Sequence, residues 1–292
     1  MNPKVYILLP VHNRRSITER FIKCLQSQTY QNYHLILIDD GSTDETAEMV
    51  REKIKNLTVI RGNGSWWWAG SLQEGYEWLL SNHISLDEIA LIANDDTEFD
   101  PNFLDQAVQI LMASPHTLLQ AQCYSRDQGR LITAGVKVDW KKLSFSPSEN
   151  IDEINCLSTR GLFLKIKDFI KIGGFYPRLL PHYLSDYEFT IRAQRQGMNL
   201  ITDSTLKLCL DEQSTGYHQY DNQSFSVFIK QIFSLKSAGN PIIFTRFVFL
   251  CCPNRYKLSC YCLVWMRFFL TLLSVISKFR HWSKTKTNHI GL

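Results

Sequence analysis

An α/β fold, with a mostly parallel sheet and helices on both faces, is what this chain predicts. Three observations carry that expectation. Short apolar runs recur, each is followed by a segment of helical periodicity, and polar residues gather at the carboxyl ends of the runs. Uninterrupted apolar strands are buried on both faces, which places them in a parallel sheet between helical layers. In such sheets ligands bind beyond the carboxyl ends of the strands.

The elements follow in order. VYILLP (5–10) is the first strand, and a helix is expected from Ser16 to about Gln28. LILIDD (35–40) is the second strand and ends in two acids. Asp44 can cap a helix running to about Lys55, with Thr43 just before it. LTVIRG (57–62) is a third strand, 68–82 a helix, and IALIANDD (89–96) a fourth strand. Pro101 opens a further helix at its first turn. The second half is less regular. Residues 118–138 and 154–166 read as strands, and a helix starts near Asp186, carries Arg192 and Arg195, and stops before Gly197. There is no internal repeat and no low-complexity linker.

Charge divides the 292-residue chain into two expected domains, 1–220 and 221–292. From Asn222 onward there are ten Lys or Arg and no Asp or Glu, whereas the first 221 residues hold 22 basic and 28 acidic side chains. A basic tail on an acidic body points to anionic lipid or nucleic acid. The tail is rich in Phe, Leu and Ile, which favours a membrane surface and argues against nucleic acid. Residues 258–277 are mostly apolar, with Ser259, Arg267, Thr271, Ser274 and Lys278 on one narrow stripe. That pattern reads as an in-plane helix more than a spanning one; packing on the body or a partner subunit is the alternative. A central Arg in a span costs about 2.5–3.5 kcal/mol. The opening lacks a cationic stretch followed by a small-residue cleavage site, so the body is expected to be cytosolic. Cys24, Cys123, Cys156 and Cys209 read as reduced core residues. Cys251, Cys252, Cys260 and Cys262 read as apolar filler rather than a zinc site, because their spacing matches no common zinc pattern.

The polar strand ends are Pro10-Val11-His12-Asn13, Asp39-Asp40-Gly41 and Asn94-Asp95-Asp96. Together they make a carboxylate-rich crevice suited to a divalent cation and a sugar nucleotide. Trp66, Trp67 and Trp68 are three consecutive indoles, which cannot all face one core; at least one is expected at the crevice, available to stack on a sugar. Gly62 and Gly64 are not a dinucleotide fingerprint, because Trp67 stands where its third glycine is required.

PVHNRR, ILIDDGSTDET, IANDDTEFDPNFL, TRGLFLK with IGGFY, and LPHYLSDYEFTIRAQRQG occur in that order. This ordered set resembles family 2 glycosyltransferases of the GT-A (Rossmann-like) fold. GNGSWWWAGS is similar to the rhamnosyltransferase-like branch of bacterial surface-polysaccharide enzymes. The resemblance covers roughly residues 4–220 and implies inverting transfer from a nucleotide-sugar donor to a glycan or lipid-linked acceptor. It implies that Pro10, His12, Asn13, Asp40 and Asp95 hold the nucleotide. Asp96 is implied as ligand of Mg²⁺ or Mn²⁺, with His218 in TGYHQYD as a second candidate ligand. Asn94 departs from the family's usual acid. Asp186 matches the catalytic-base position, where one carboxylate takes the acceptor hydroxyl's proton. Structural alternatives stand beside each role: a solvent-facing loop residue for His12, a turn or cap for Asp40, a helix cap for the Asp95–Asp96 pair and for Asp186. The whole places the protein at the cytoplasmic face of the cell membrane. A sugar nucleotidyltransferase would show a glycine-rich phosphate loop that PVHNRR lacks; a non-catalytic carbohydrate-binding scaffold would not need Asp40, Asp96 and Asp186 together.

Overall fold

The computed structural model describes residues 2–211, 225–235 and 237–287. Their contacts group into two units: residues 1–138 with 145–216, and residues 139–144 with 217–292.

The first unit opens with the expected alternation. β1 (Val5–Val11), α1 (Arg15–Gln26), β2 (Tyr33–Asp39), α2 (Thr46–Lys53), β3 (Leu57–Arg61), α3 (Trp67–Ser81) and β4 (Ile89–Ile92) follow one another. β5 (Thr97–Glu98) and α4 (Phe103–Ala113) come next, so Pro101 precedes its helix by two residues instead of opening it. Then come β6 (Thr117–Ser125), β7 (Leu131–Thr133), β8 (Gly135–Asp139), β9 (Ser144–Ser148), β10 (Leu162–Lys165), α5 (Ile166–Ile172), α6 (Ser185–Arg195) and β11 (Asn199–Leu210).

The main sheet runs β3-β2-β1-β4-β10-β6-β11-β5, with β7 on β6. β3, β2, β1 and β4 pair in parallel. β10 lies antiparallel between β4 and β6, while β11 returns parallel to β6. The alternation of side chains across each strand builds a core on each face. Val5, Ile7 and Leu9 meet Phe21, Leu25, Val50, Phe103 and Leu104 on one side. Leu8, Ile36 and Ile38 meet Leu72, Phe169 and Phe189 on the other.

Three readings of the second half change. Residues 154–161 form no strand apart from an isolated Val136–Cys156 bridge; strand structure begins at Leu162. IKDFIKI forms α5, burying Ile166, Phe169 and Ile172. Cys209 is exposed, because it occupies the outward positions of β11 between buried Leu208 and Leu210, while Cys123 and Cys156 are buried.

The second unit contains α7 (Phe225–Ile232), α8 (Pro241–Cys251) and α9 (Asn254–Thr287). Asn240 caps α8, its side-chain oxygen accepting from the N–H groups of Ile242 and Ile243 at 2.9 and 3.3 Å. Leu143, Val248, Cys252, Cys260 and Val264 form a small core with Trp140 packed on it. Arg267, placed by sequence on a polar stripe, donates instead to the Leu143 carbonyl at 2.9 Å and to that of Lys142.

Candidate active site

The parallel order β2-β1-β4 brings three polar strand ends side by side. Val11 is in register with Asp39, and Ala93 N–H donates to the Leu8 carbonyl, so the turns after β1, β2 and β4 open on one edge. Here lie Pro10, His12, Asn13, Asp40, Asp95 and Asp96.

His12 Nδ1 is 2.6 Å from the Asp40 carbonyl, which can only accept, so this nitrogen carries the hydrogen. Nε2 then accepts from the Asn13 amide at 3.2 Å. The ring is held by its edge, and its residue is exposed. Asn13 Oδ1 accepts from Thr43 N–H at 2.8 Å and so ties the first loop to the second. Asp44, expected as a cap of α2, accepts from Arg15 N–H at the start of α1 (2.9 Å) and from Thr46 N–H at the start of α2 (3.2 Å).

Asp40 is buried and holds the loop after β3. Its Oδ1 accepts from Gly64 N–H at 2.8 Å, and its Oδ2 from Trp66 and Trp67 N–H at 2.9 and 3.1 Å. These are otherwise unpaired donors at the N-terminus of α3. The neighbouring Gly41 has φ +74°, and a Cβ there would lie 2.7 Å from Gly64 N, so only glycine allows the two loops to approach. A carboxylate has about four lone-pair sites, so Asp40 keeps capacity for one further donor.

The same anchor sorts the three indoles. Trp66 and Trp68 pack against the second core, and Trp68 Nε1 donates to Thr159 Oγ1 at 3.2 Å. Trp67 takes φ +59°, an unfavourable conformation for a bulky residue. Its ring meets His182 edge-on, with centroids 5.8 Å apart. Of the three indoles, Trp66 and Trp68 are thus taken up by core packing, in keeping with the expectation that the three do not all face one core. Ala69 N–H donates to the Pro181 carbonyl at 3.0 Å, which ties the start of α3 to the segment before α6.

Asp95 and Asp96 are both buried. Asp95 accepts from Arg14 Nε at 2.9 Å and from Thr18 Oγ1 at 2.9 Å. Burial nevertheless pushes its carboxyl up to about 6, against the pull of Arg14. Arg14 Nη2 lies 3.5 Å from Asp96 Oδ2. Asp96 Oδ1 and Asn94 Oδ1 are buried without a hydrogen-bond partner. No cluster of three or more His, Cys, Asp or Glu able to hold a metal occurs among the described residues. The donors present are oxygens, however, and Mg²⁺-like ions are commonly held by one or two carboxylates, with substrate phosphates and water completing the shell. The residues fit such an ion on those terms. His218 lies outside the described residues.

Asp186 occupies the first turn of α6, and its Oδ1 accepts from Tyr187 N–H at 2.9 Å. It is no N-cap; that position belongs to Leu184, at φ +65°. Burial pushes the Asp186 carboxyl up to about 6, opposed by backbone hydrogen bonds and by the Arg160 guanidinium. Glu188 is buried in a two-pronged pair with Arg192, at 2.8 and 3.0 Å. That pair fixes α6, since Arg192 also donates to the carbonyl of Gly174 at 2.7 Å. Arg160 had no role in the sequence reading. It lies two residues before Leu162, the partner of Ile92 on β4, and so at the strand end that carries Asn94, and its charge opposes the upward shifts of Cys123 and Asp186. The visible signal was an arginine preceding a glycine at the start of a buried strand.

Comparison with known proteins completes the picture. The family model described as Glycosyl transferase family 2 matches residues 6–163, more than half of the chain. An uncharacterized glycosyltransferase of Haemophilus influenzae is 30% identical over 145 residues, covering 48% of this chain and 57% of its own. A GalNAc(5)-diNAcBac-PP-undecaprenol beta-1,3-glucosyltransferase of Campylobacter jejuni is 33% identical over 59 residues, 20% of this chain and 19% of its own. The match thus spans little more than half of the first relative's length and a fifth of the second's. A mannosyltransferase from Pyrobaculum calidifontis, solved with GDP-Man and Mn²⁺, shares the GT-A fold with a TM-score of 0.55. It is 17% identical, and the similarity covers 96% of this chain and 80% of that one. On the family match, this chain is a member of glycosyl transferase family 2.

Proposed function

We propose that the enzyme moves a sugar, with inversion, from a nucleotide-diphosphate donor to a lipid-linked or polysaccharide acceptor at the cytoplasmic face of the membrane. One observation carries the reading: β10 starts beside the end of β4, and the Thr190 hydroxyl ties the segment leading into β10 to the Asp186 carbonyl at 3.1 Å, which supports a shared site for Asp186 and the Asp95–Asp96 turn. A raised base and an acidic turn at the strand ends are what an inverting transfer needs.

In this reading Asp186 takes the proton of the attacking acceptor hydroxyl. A carboxyl raised to about 6 is still largely ionised at neutral pH and is a stronger base than an ordinary one. His12 offers a ring face to the nucleotide, Pro10 and Asn13 shape its loop, and the remaining lone pair of Asp40 accepts from the nucleotide. Trp67, beside His182, forms a stacking surface for a sugar. Asp96 and Asn94 would hold Mg²⁺ or Mn²⁺, which would offset charge on the departing nucleotide diphosphate. Asp95, kept in place by Arg14 and Thr18, holds the turn that presents Asp96.

Membrane attachment rests on α9. Its Asn254–Ser277 stretch is long and apolar enough to cross a membrane, yet only 11% of its most apolar window is buried. Leu258, Met266, Phe269, Leu270 and Leu273 are exposed on it. The basic, acid-free composition of the tail suits an anionic leaflet. Arg267 is already bonded to two carbonyls, which favours a helix lying in the interface with that side turned to protein. The lipid-linked acceptor is consistent with the undecaprenol in the name of the Campylobacter relative.

The test is a panel of nucleotide sugars assayed for hydrolysis and transfer, with Mn²⁺ and with excess EDTA. Donor-dependent release of nucleoside diphosphate that stops in EDTA is expected. Release that is unaffected by EDTA removes the metal, and no release with any donor removes the reading.

A further inference from the structure

Arg160 has no part in the roles above. It sits in the turn between Thr159 and Gly161 that leads into β10, and this turn is tied down on every side. Leu157 N–H donates to Thr190 Oγ1 at 3.0 Å, and that hydroxyl is 2.9 Å from the Leu157 carbonyl. The same hydroxyl is 3.1 Å from the Asp186 carbonyl, so the turn and the first turn of α6 share one anchor. Ser158 N–H donates to Gln120 Oε1 at 3.0 Å, and Gln120 Nε2 donates back to Ser158 Oγ at 2.8 Å. Thr159 receives the Trp68 indole. Gly161 has φ +67°, and a Cβ there would stand 2.5 Å from Leu208 Cδ1 and 3.2 Å from Ala121 Cβ. The backbone that presents Arg160 therefore has little freedom to move.

Leu162 pairs with Ile92 on antiparallel β4, so Arg160, two residues earlier, stands at the strand end that carries Asn94, Asp95 and Asp96, and the Thr190 hydroxyl ties its segment to the first turn of α6. Arg160 Nε is buried without a hydrogen-bond partner. A buried guanidinium N–H left unpaired is costly, and a polar group of this kind calls for a reason. The other arginine of the site, Arg14, is joined through Nε to Asp95 at 2.9 Å, although its Nη2 is likewise buried without a hydrogen-bond partner. A diphosphate entering among Asp95, Asp96 and Asp186 meets like charge and needs a cation beyond any bound metal. A guanidinium suits this, since its planar fork matches phosphate oxygens.

We propose that Arg160 is a substrate-contacting residue that binds the donor's diphosphate, between the Asp95–Asp96 turn and Asp186. The inference rests on the nucleotide-sugar reading. In an in-line displacement the diphosphate held by Arg160 departs from the face of the sugar opposite to the one that the acceptor hydroxyl attacks.

The test uses the full chain, with Arg160→Gln and Arg160→Lys. Calorimetric titration with UDP, GDP and dTDP, and with the matching monophosphates, is run in Mn²⁺. For the diphosphate that the wild type binds, Arg160→Gln should weaken affinity by about 10–100-fold. Arg160→Lys should weaken it less, and the monophosphate should change by less than about threefold, a smaller loss because one phosphate contact is absent. Unchanged diphosphate affinity in Arg160→Gln overturns the assignment. An equal loss for mono- and diphosphate marks a structural role and overturns it as well. Should thermal melting show Arg160→Gln to be unfolded, Arg160→Lys decides by the same comparison. A wild type that binds none of the nucleotides overturns the nucleotide-sugar reading itself, and with it this inference; that result is distinct from a defect confined to the variants.

Discussion

Replacing Asp186 by asparagine keeps the side chain's size and its hydrogen bond from Tyr187 N–H but removes the base. In the folded chain burial raises this carboxyl from 3.8 to about 6. Two opposite consequences follow. Turnover should fall by about 10²–10⁴-fold, the usual worth of a positioned base, with donor affinity little changed. Stability should rise. The folded state holds this proton more tightly than the unfolded chain, so the carboxyl contributes stability below about pH 4 that is lost as pH rises through about 6. At about 1.4 kcal/mol per pH unit, the ionised carboxylate costs the fold about 2–3 kcal/mol at pH 8. Asp186→Asn escapes that cost. For a chain of this size it should melt several degrees higher than wild type at pH 8, with the gap closing toward pH 4. Wild-type kcat, followed by nucleoside diphosphate release, should climb with pH through about 6. Near-normal turnover in the variant would place the base elsewhere, and Glu188 is a poor substitute because its carboxylate is held by Arg192. A variant less stable than wild type at pH 8 would refute the argument from burial.

The remaining predictions concern other parts of the enzyme. Asp96→Ala should abolish transfer and weaken Mn²⁺-dependent nucleotide binding in calorimetry, with Asn94→Ala milder because a neutral amide contributes less to an ionic site; equal binding with and without Asp96 would contradict the metal role. Asp40→Ala leaves the Gly64, Trp66 and Trp67 N–H groups without their acceptor, so it should lower stability by about 2–4 kcal/mol in denaturant titration; a cost near zero would show that the loop is held by something else. On α9, Met266→Ser with Leu270→Ser and Leu273→Ser should release the protein from anionic vesicles in high salt, where the charge contribution is screened, while wild type stays bound there through its apolar contribution. Substitution is a better probe than truncation near residue 240, because truncation would strip Trp140 and Leu143 of their packing against Val248, Cys260 and Val264.

Much of the first half was legible because its signals are local. Each of the first four strands is an apolar run, and the acids at the ends of the second and fourth announce the crevice edge. What escaped was non-local. Nothing in LFLK says that β10 runs antiparallel between β4 and β6, since pairing partners lie 42 to 76 residues away. β11 carries a visible alternation in TLKLCL, with Leu206, Leu208 and Leu210 buried and Lys207 exposed, and it was legible in principle. IKDFIKI is too short for its periodicity to separate helix from strand. At the site, residue types could be read but their partners could not. Asp40 was assigned to the nucleotide, while the fold engages three of its lone pairs in the loop before α3. Glu188, a second acid two residues after Asp186, is claimed by Arg192. Arg160 was quoted within a motif without a role, because neither Cys123 nor Asp186 is near it in sequence. The acid-free tail was conspicuous by composition, but the carbonyls that hold Arg267 belong to a turn more than 120 residues earlier.

The most direct test of the central claim is the stereochemistry of the transferred sugar. Using whichever nucleotide sugar the enzyme consumes, proton NMR of the product reports the anomeric configuration against that of the donor. A single in-line displacement with Asp186 as base predicts inversion, and the same product in residual amount from Asp186→Asn. Retention of configuration would contradict the account, however well the crevice binds its donor.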